Sequence, residues 1–179
     1  YIAEDVANTL GIKLYDKELI TMAAKHSGLS EEAVAASEKR HTHSLLYSLY
    51  TMGNDLPLGD QVFILQSRII KQLAEEGPCV ILGRCADEIL REAGMESLNV
   101  FIHADAVHRA VRASELTGCT DATELQKIIA KKDNSRHTYY NHYTGKKWGD
   151  SHNYHLVLDS GKLGYSLCAK LIIEAAKGE

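Results

Sequence analysis

Apolar positions along the chain recur at two different periods, and the two alternate. Ile2, Val6 and Leu10 fall at every fourth place with Gly11 behind them as a helix stop, so the chain opens inside an amphipathic helix. Residues 12–15, Ile-Lys-Leu-Tyr, alternate apolar and polar as a short strand does, and Asp16 closes them. Leu19, Ile20, Ala23 and Ala24 then supply the buried stripe of a second helix, which Ser27 and Gly28 end. Residues 30–40 are polar, alanine-rich and helical in pattern. From Asp60, which can serve as a cap, Val62, Leu65, Ile69 and Leu73 recur at intervals of three or four until Gly77 and Pro78 stop the helix. Residues 79–82, Cys-Val-Ile-Leu, are apolar at every position, which predicts a strand covered on both faces, as in the middle of a parallel sheet.

The second half repeats the alternation. A helix over 86–92 is closed by Gly94, residues 98–102 read as another buried strand, and Asp105 caps a helix bearing Arg109 and Arg112. Asp121 and Glu124 have capping-box spacing, with Leu125, Ile128 and Ile129 as the apolar stripe behind them. Residues 156–158 form a fourth strand before Asp159, and Leu167, Leu171 and Ile172 mark a closing helix. Helices alternating with short apolar strands predict an α/β layered fold around a parallel sheet. At 179 residues the chain fits one compact domain.

Composition narrows the function classes. A net charge of −4 and a pI near 6.1 leave no electrostatic footprint for duplex nucleic acid. The four cysteines, Cys79, Cys85, Cys119 and Cys168, form no Cys-x-x-Cys pair, which favours a reducing compartment over a disulfide framework. No apolar stretch approaches the roughly 20 residues that span a bilayer, so the sequence reads as soluble and cytoplasmic.

Four places carry candidate chemistry. Gly83 ends the 79–82 strand, and Arg84 would project beyond its carboxyl end, where open parallel sheets hold their ligands. A guanidinium there suits phosphate, because its planar fork matches two phosphate oxygens; a salt bridge to a neighbouring carboxylate is the alternative. Asp16 can cap the helix after it or accept hydrogen bonds from a ligand. Within 131–140, Asp133 shares a helix face with Arg136, as do Lys132 and Tyr140, and the tyrosines, Trp148, Gly145 and Gly149 suggest a segment that folds over something rather than a solvated face. Residues 45–58, with Leu45, Leu46, Tyr47, Leu49, Tyr50 and Met52, are too apolar for a solvated loop and predict a lid or a subunit contact, hence a possible homodimer. His41 and His43 have no carboxylate or cysteine at ligand spacing nearby, and no metal site is read from them.

Taken in order, these pieces resemble the cytidylate kinase-like branch of the P-loop nucleoside monophosphate kinases. The matching stretches are the opening helix followed by Ile-Lys-Leu-Tyr-Asp16, then Val-Ile-Leu-Gly83-Arg84-Cys-Ala-Asp, and Val-Phe-Ile-His-Ala with Arg109 and Arg112. Lys131-Lys-Asp133-Asn-Ser-Arg136 followed by tyrosines, and Leu-Val-Leu-Asp159-Ser160, complete the series. The resemblance implies a three-layer P-loop kinase-like fold with a central parallel sheet. It implies one domain over 1–179, with a lid or interface segment at 41–59 and a lid-like segment at 131–153. Asp16 and Arg84 would hold the nucleoside monophosphate, Arg112 would lie near the phosphates, and Asp133 and Arg136 would read the pyrimidine and its phosphate. Lys132 and Arg109 are second-rank candidates, each with a surface salt bridge as its alternative.

The activity so implied is transfer of the ATP γ-phosphate, with Mg²⁺, to CMP or a similar small acceptor. Catalysis of this kind rests on positioning and charge neutralisation, with lid closure excluding water. A non-catalytic nucleotide-binding relative is the second class. Proteins of this family begin with a strand and a glycine-rich loop that cradles phosphate, and neither occurs after Tyr1. Both are therefore expected upstream in the complete protein, since losing the first strand would leave a gap in the sheet.

Overall fold

The computed structural model describes residues 1–16, 19, 22 and 57–178. The chain divides into two compact units, residues 13–96 and a second unit made of residues 1–12 and 97–179.

In the 13–96 unit, β1 (Lys13–Tyr15) pairs in parallel with β2 (Cys79–Ile81), Leu14 opposite Val80 and Tyr15 opposite Ile81. The amide of Leu82 extends the ladder by donating to the Tyr15 carbonyl at 3.0 Å. Between the strands runs α1 (Leu58–Glu76), and after β2 comes the short α2 (Ala86–Glu92). Val62, Ile69, Ile70 and Leu73 of α1 are buried together with Leu19, and Ile89 and Leu90 of α2 complete the core.

Three expectations are corrected here. The 79–82 run is not covered on both faces: β2 is half-buried along its length and Leu82 is 40% exposed, because its sheet is only two strands wide among the described residues. Asp60 is not the cap of α1; Pro57 holds that place, its carbonyl accepting from the amides of Asp60 and Gln61. Asp60 instead sits in the first turn, where a carboxylate complements the helix dipole. Leu65 is only half-buried, and the fully buried position in that turn belongs to Gln66.

The other unit opens with α3 (Ile2–Leu10), ended by Gly11 in the left-handed region as its sequence position predicts. Its strands β3 (Val100–His103) and β4 (Leu156–Asp159) are parallel, Phe101 opposite Val157 and Ile102 opposite Leu158. After β3 comes α4 (Ala106–Thr117), then the long α5 (Ala122–Thr144), a 3₁₀ turn over Ser151–Asn153, and α6 (Ser160–Lys177). Asp105 and Asp121 cap α4 and α5 as predicted, accepting from the amides of His108 at 2.9 Å and Glu124 at 2.7 Å. Helix α3 packs on α6, and α4 on α5.

The 98–102 strand lies two residues later at its start and one at its end, and it is half-buried, with Leu98 38% exposed. The stripe of α6 is also displaced. Cys168, Ala169 and Ile173 are buried, whereas Leu167 and Leu171 face outward. The buried set lies one position away from the leucines and includes the small side chains of Cys168 and Ala169; Gly164, with φ of 75° and ψ of 163°, interrupts the helix before this stretch.

The molecule is thus a mixed α/β protein with six helices and two short parallel strand pairs among its described residues. Residues 30–40, His41, His43 and the apolar run from Leu45 to Met52 lie outside them.

Candidate functional site

In the 13–96 unit two predicted site residues emerge from adjacent strands. Asp16 directly follows β1, and Arg84 comes three residues after Ile81 of β2, so both stand beyond the carboxyl ends of one parallel pair. Of the helix that Asp16 would cap, residues 19 and 22 alone are described. Arg84 sits in an unusual backbone: Gly83, Arg84 and Cys85 take φ values of 69°, 59° and 56°, three successive residues in the left-handed region. Two of them are not glycine, and non-glycine residues held there store strain of a kind that concentrates at functional sites. The turn leads into α2, the amide of Ala86 donating to the Gly83 carbonyl at 3.1 Å. Arg84 is half-buried and its Nε is screened from water. Cys85 is buried, and burial first, then the Asp87 and Glu88 charges, push its thiol up to about 12, so it remains protonated and inert at neutral pH. Glu88, also buried, forms an ion pair with Arg91.

In the other unit the predicted residues divide. Asp133, on α5, accepts from Arg109 of α4 at 2.6 Å through one carboxylate oxygen and from Arg136 at 3.3 Å through the other. One carboxylate therefore clasps two guanidinium groups and leaves the trio with a net positive charge. Arg136 keeps 56% of its side chain open to solvent and Arg109 36%, so donors remain for an anion. Arg112 does not join them. Its guanidinium bonds Glu115 at 3.0 Å and lies 4.1 Å over the ring of Tyr1. Lys132 is exposed.

The segment after α5 packs against Phe101 of β3. Trp148 meets its ring edge-on at 5.2 Å and Tyr154 lies against it at 5.0 Å. Gly149 has φ of 79°, and a Cβ there would come 3.0 Å from the Phe101 ring, so both the backbone conformation and the close approach favour glycine. The guanidinium of Arg136 lies 6.0 Å over Trp148.

Sequence reasoning missed two features. Arg109 was placed second, yet it forms the shortest ion-pair contact of the trio; the signal was its arginine on a helix that packs beside Asp133, visible only once α4 and α5 are paired. The Asp105 and His108 pair was read only as a cap, but the imidazole Nδ1 also lies 2.9 Å from both carboxylate oxygens and its ring packs on Gly161. The hydrogen bonds from His108, backbone first, hold the Asp105 carboxyl below its usual value.

The family model described as the cytidylate kinase-like family matches residues 1–162. The chain belongs to that family. Its fold is similar to a crystal structure of an uncharacterized protein from Eubacterium ventriosum, at 28% identity with a TM-score of 0.70, covering 99% of this chain and 90% of that one. No curated protein matches the chain. Among the described residues, the clasped arginines and the turn at Arg84 present guanidinium donors, groups whose planar fork suits phosphate and carboxylate oxygens.

Proposed function

We propose that this protein is an ATP-dependent nucleotide kinase that transfers the γ-phosphate to CMP or a similar small acceptor. The observation that carries the reading is the Arg109, Asp133 and Arg136 trio in a chain of the cytidylate kinase-like family. Phosphoryl transfer asks little covalent work of a protein, and most of the rate comes from holding reactants in line and neutralising charge on the equatorial oxygens. A carboxylate that already fixes two guanidinium groups removes part of the ordering cost at the moment of reaction.

In this reading Arg84 and Asp16 serve the acceptor nucleotide, Arg84 by a forked contact to its phosphate and Asp16 by accepting from an amino or hydroxyl group. Arg136, Arg109 and Arg112 neutralise phosphate charge, and Arg112 would have to leave Glu115 to do so. Asp133, assigned by resemblance to reading the pyrimidine, has both oxygens engaged by arginines and acts first as their brace. Lys132 remains a candidate for phosphate contact from α5. Mg²⁺ belongs to the proposal as the ion carried on the ATP phosphates, a cation that favours waters and phosphate oxygens over all-protein cages. Among the described residues no group of three or more His, Cys, Asp and Glu stands ready to hold a metal. The three-layer P-loop kinase architecture and a cytoplasmic location are the finer parts of the same reading. In support of the latter, the four cysteines are free, and among the described residues no helix is long and apolar enough to cross a membrane.

A coupled ADP-release screen of the complete protein across nucleoside monophosphates and small alcohols tests this directly. Turnover with one acceptor, reduced at least tenfold in Arg136→Ala, is the expected result. Nucleotide binding by calorimetry with no turnover for any acceptor would replace the kinase with a non-catalytic nucleotide-binding relative.

A further inference from the structure

Trp148 is the chain's single tryptophan, and its surroundings are more constrained than a surface ring requires. The edge contact to Phe101 at 5.2 Å fixes one side of it, and Phe101 is itself backed by Tyr154. The backbone that carries it is pinned as well. The side-chain amide of Asn153 donates to the Lys147 carbonyl at 3.0 Å, and the Lys146 amide donates to the Thr144 hydroxyl at 3.0 Å. Gly149 then brings the chain close against Phe101, a Cβ there lying 3.0 Å from the ring. The product is an aromatic plate anchored to β3, with the guanidinium of Arg136 over its ring at 6.0 Å, the outer edge of the range in which a cation is attracted to an indole face.

Arg136 is therefore held from two directions: Asp133 binds Nη1 at 3.3 Å, and the plate of Trp148 limits where the guanidinium can lie. Asp133 alone would leave the group free to swing about one contact, because an exposed ion pair of this spacing restrains a long side chain only weakly. A ring packed on Phe101 of β3 supplies a second reference outside α5. We propose that Trp148 is a positioning residue for Arg136, setting the angle at which its remaining donors meet a phosphate. The proposal rests on the phosphoryl-transfer reading and extends it to a residue outside the charged trio. Since the guanidinium lies 6.0 Å over the indole, the ring's emission reports on that cation: a phosphate that engages Arg136 changes the field at the ring.

Inorganic tripolyphosphate is the probe, titrated into the full-length protein and followed by calorimetry and by tryptophan emission. The wild type is expected to bind with a saturable emission change. Arg136→Gln is expected to alter the resting spectrum and to abolish that change. Trp148→Leu is expected to weaken binding about two- to fivefold, with Trp148→Phe recovering part of the loss because phenylalanine keeps a π face. Thermal melts accompany each variant. Should Trp148→Leu not fold, Trp148→Phe and the resting emission of Arg136→Gln decide the matter between them. Resting emission unchanged by Arg136→Gln, or tripolyphosphate affinity in Trp148→Leu equal to wild type, would overturn the positioning role while leaving the kinase reading intact. Absence of tripolyphosphate binding by the wild type would overturn both.

Discussion

Arg109 and Asp133 are separated by 24 residues in the chain and by 2.6 Å in space, and their bond ties helix α4 to helix α5. The pair is partly solvated, with 36% and 28% of the two side chains exposed. Its direct contribution to stability is accordingly small, about 0.5–1 kcal/mol, by the measure of surface ion pairs. Its larger effect is geometric, since the same carboxylate also holds Arg136. Asp133→Asn keeps the shape and removes the charge that both guanidinium groups answer to. We expect turnover in the coupled assay to fall about 10- to 100-fold, the size of effect that a slightly misplaced catalytic group produces. The urea midpoint should move little. Wild-type turnover in Asp133→Asn would show that the clasp is incidental to the chemistry.

The passage of the chain over Phe101 yields a stability prediction with its own control. Gly145 and Gly149 both have positive φ, 68° and 79°, but a Cβ at Gly145 meets nothing within 4 Å whereas one at Gly149 comes 3.0 Å from the Phe101 ring. Alanine at either position carries the left-handed penalty of about 1–2 kcal/mol. At Gly149 an overpacking cost of about 1–3 kcal/mol is added, because Phe101 is already enclosed by Trp148 and Tyr154. Gly149→Ala should thus be the more destabilising of the two in urea denaturation. Equal losses for the two variants would mean that Phe101 yields freely and that Trp148 is not rigidly mounted.

Acid stability should depend on two exposed caps. Hydrogen bonds from the backbone and ring of His108 hold the Asp105 carboxyl below its ordinary value of 3.8, and the ring and backbone of His152 do the same for Asp150. A carboxyl whose folded value is depressed contributes stability that is fully present above the unfolded value and is lost as pH falls through the folded one. Asp105→Asn and Asp150→Asn should therefore be less stable than wild type at neutral pH, with the gap closing only below 3.8 as the wild-type carboxyls themselves take up protons. Urea midpoints measured down an acid series check this. A gap that stays constant into strong acid would assign the loss to something other than the ionised cap.

The caps were legible in the sequence because capping is a local event, decided by a short acceptor side chain and amides two or three residues on. Asp105 and Asp121 could be read that way, as could the glycine stop after α3, and the four strands could be located within two residues at each end; Asp60 was misread, because Pro57 precedes α1 and takes the cap position. What could not be read depends on distant parts of the chain. The leucines of α6 predict a buried face at Leu167 and Leu171, whereas Cys168, Ala169 and Ile173 are the buried residues, a choice that depends on what packs against the helix. Gln66 is wholly buried against the expectation for an amide. Arg84, Arg109, Asp133 and Arg136 could be nominated from position and resemblance, but which carboxylate would gather which arginines is set by how α4 lies on α5. Arg112 illustrates the limit, since its pairing with Glu115 and Tyr1 removes it from the trio that its sequence neighbour Arg109 joins.

Arg84 offers a test in which stability and activity should part. At φ of 59°, followed by Cys85 at 56°, its backbone occupies a region that costs a side chain about 1 kcal/mol or more. Glycine there would relieve that strain, offset in part by the greater freedom glycine gives the unfolded chain, about 0.4–1 kcal/mol. Arg84→Gly is therefore expected to be as stable as wild type in urea, within about 0.5 kcal/mol, while losing the forked phosphate contact and with it at least tenfold in turnover of the acceptor nucleotide. Arg84→Ala, which keeps the strain and removes the guanidinium, should lose the same activity and be the less stable of the two. A parting of this kind would tie the retained strain to use of the guanidinium. Full activity in Arg84→Gly would assign the left-handed turn to folding geometry alone and take Arg84 out of the site.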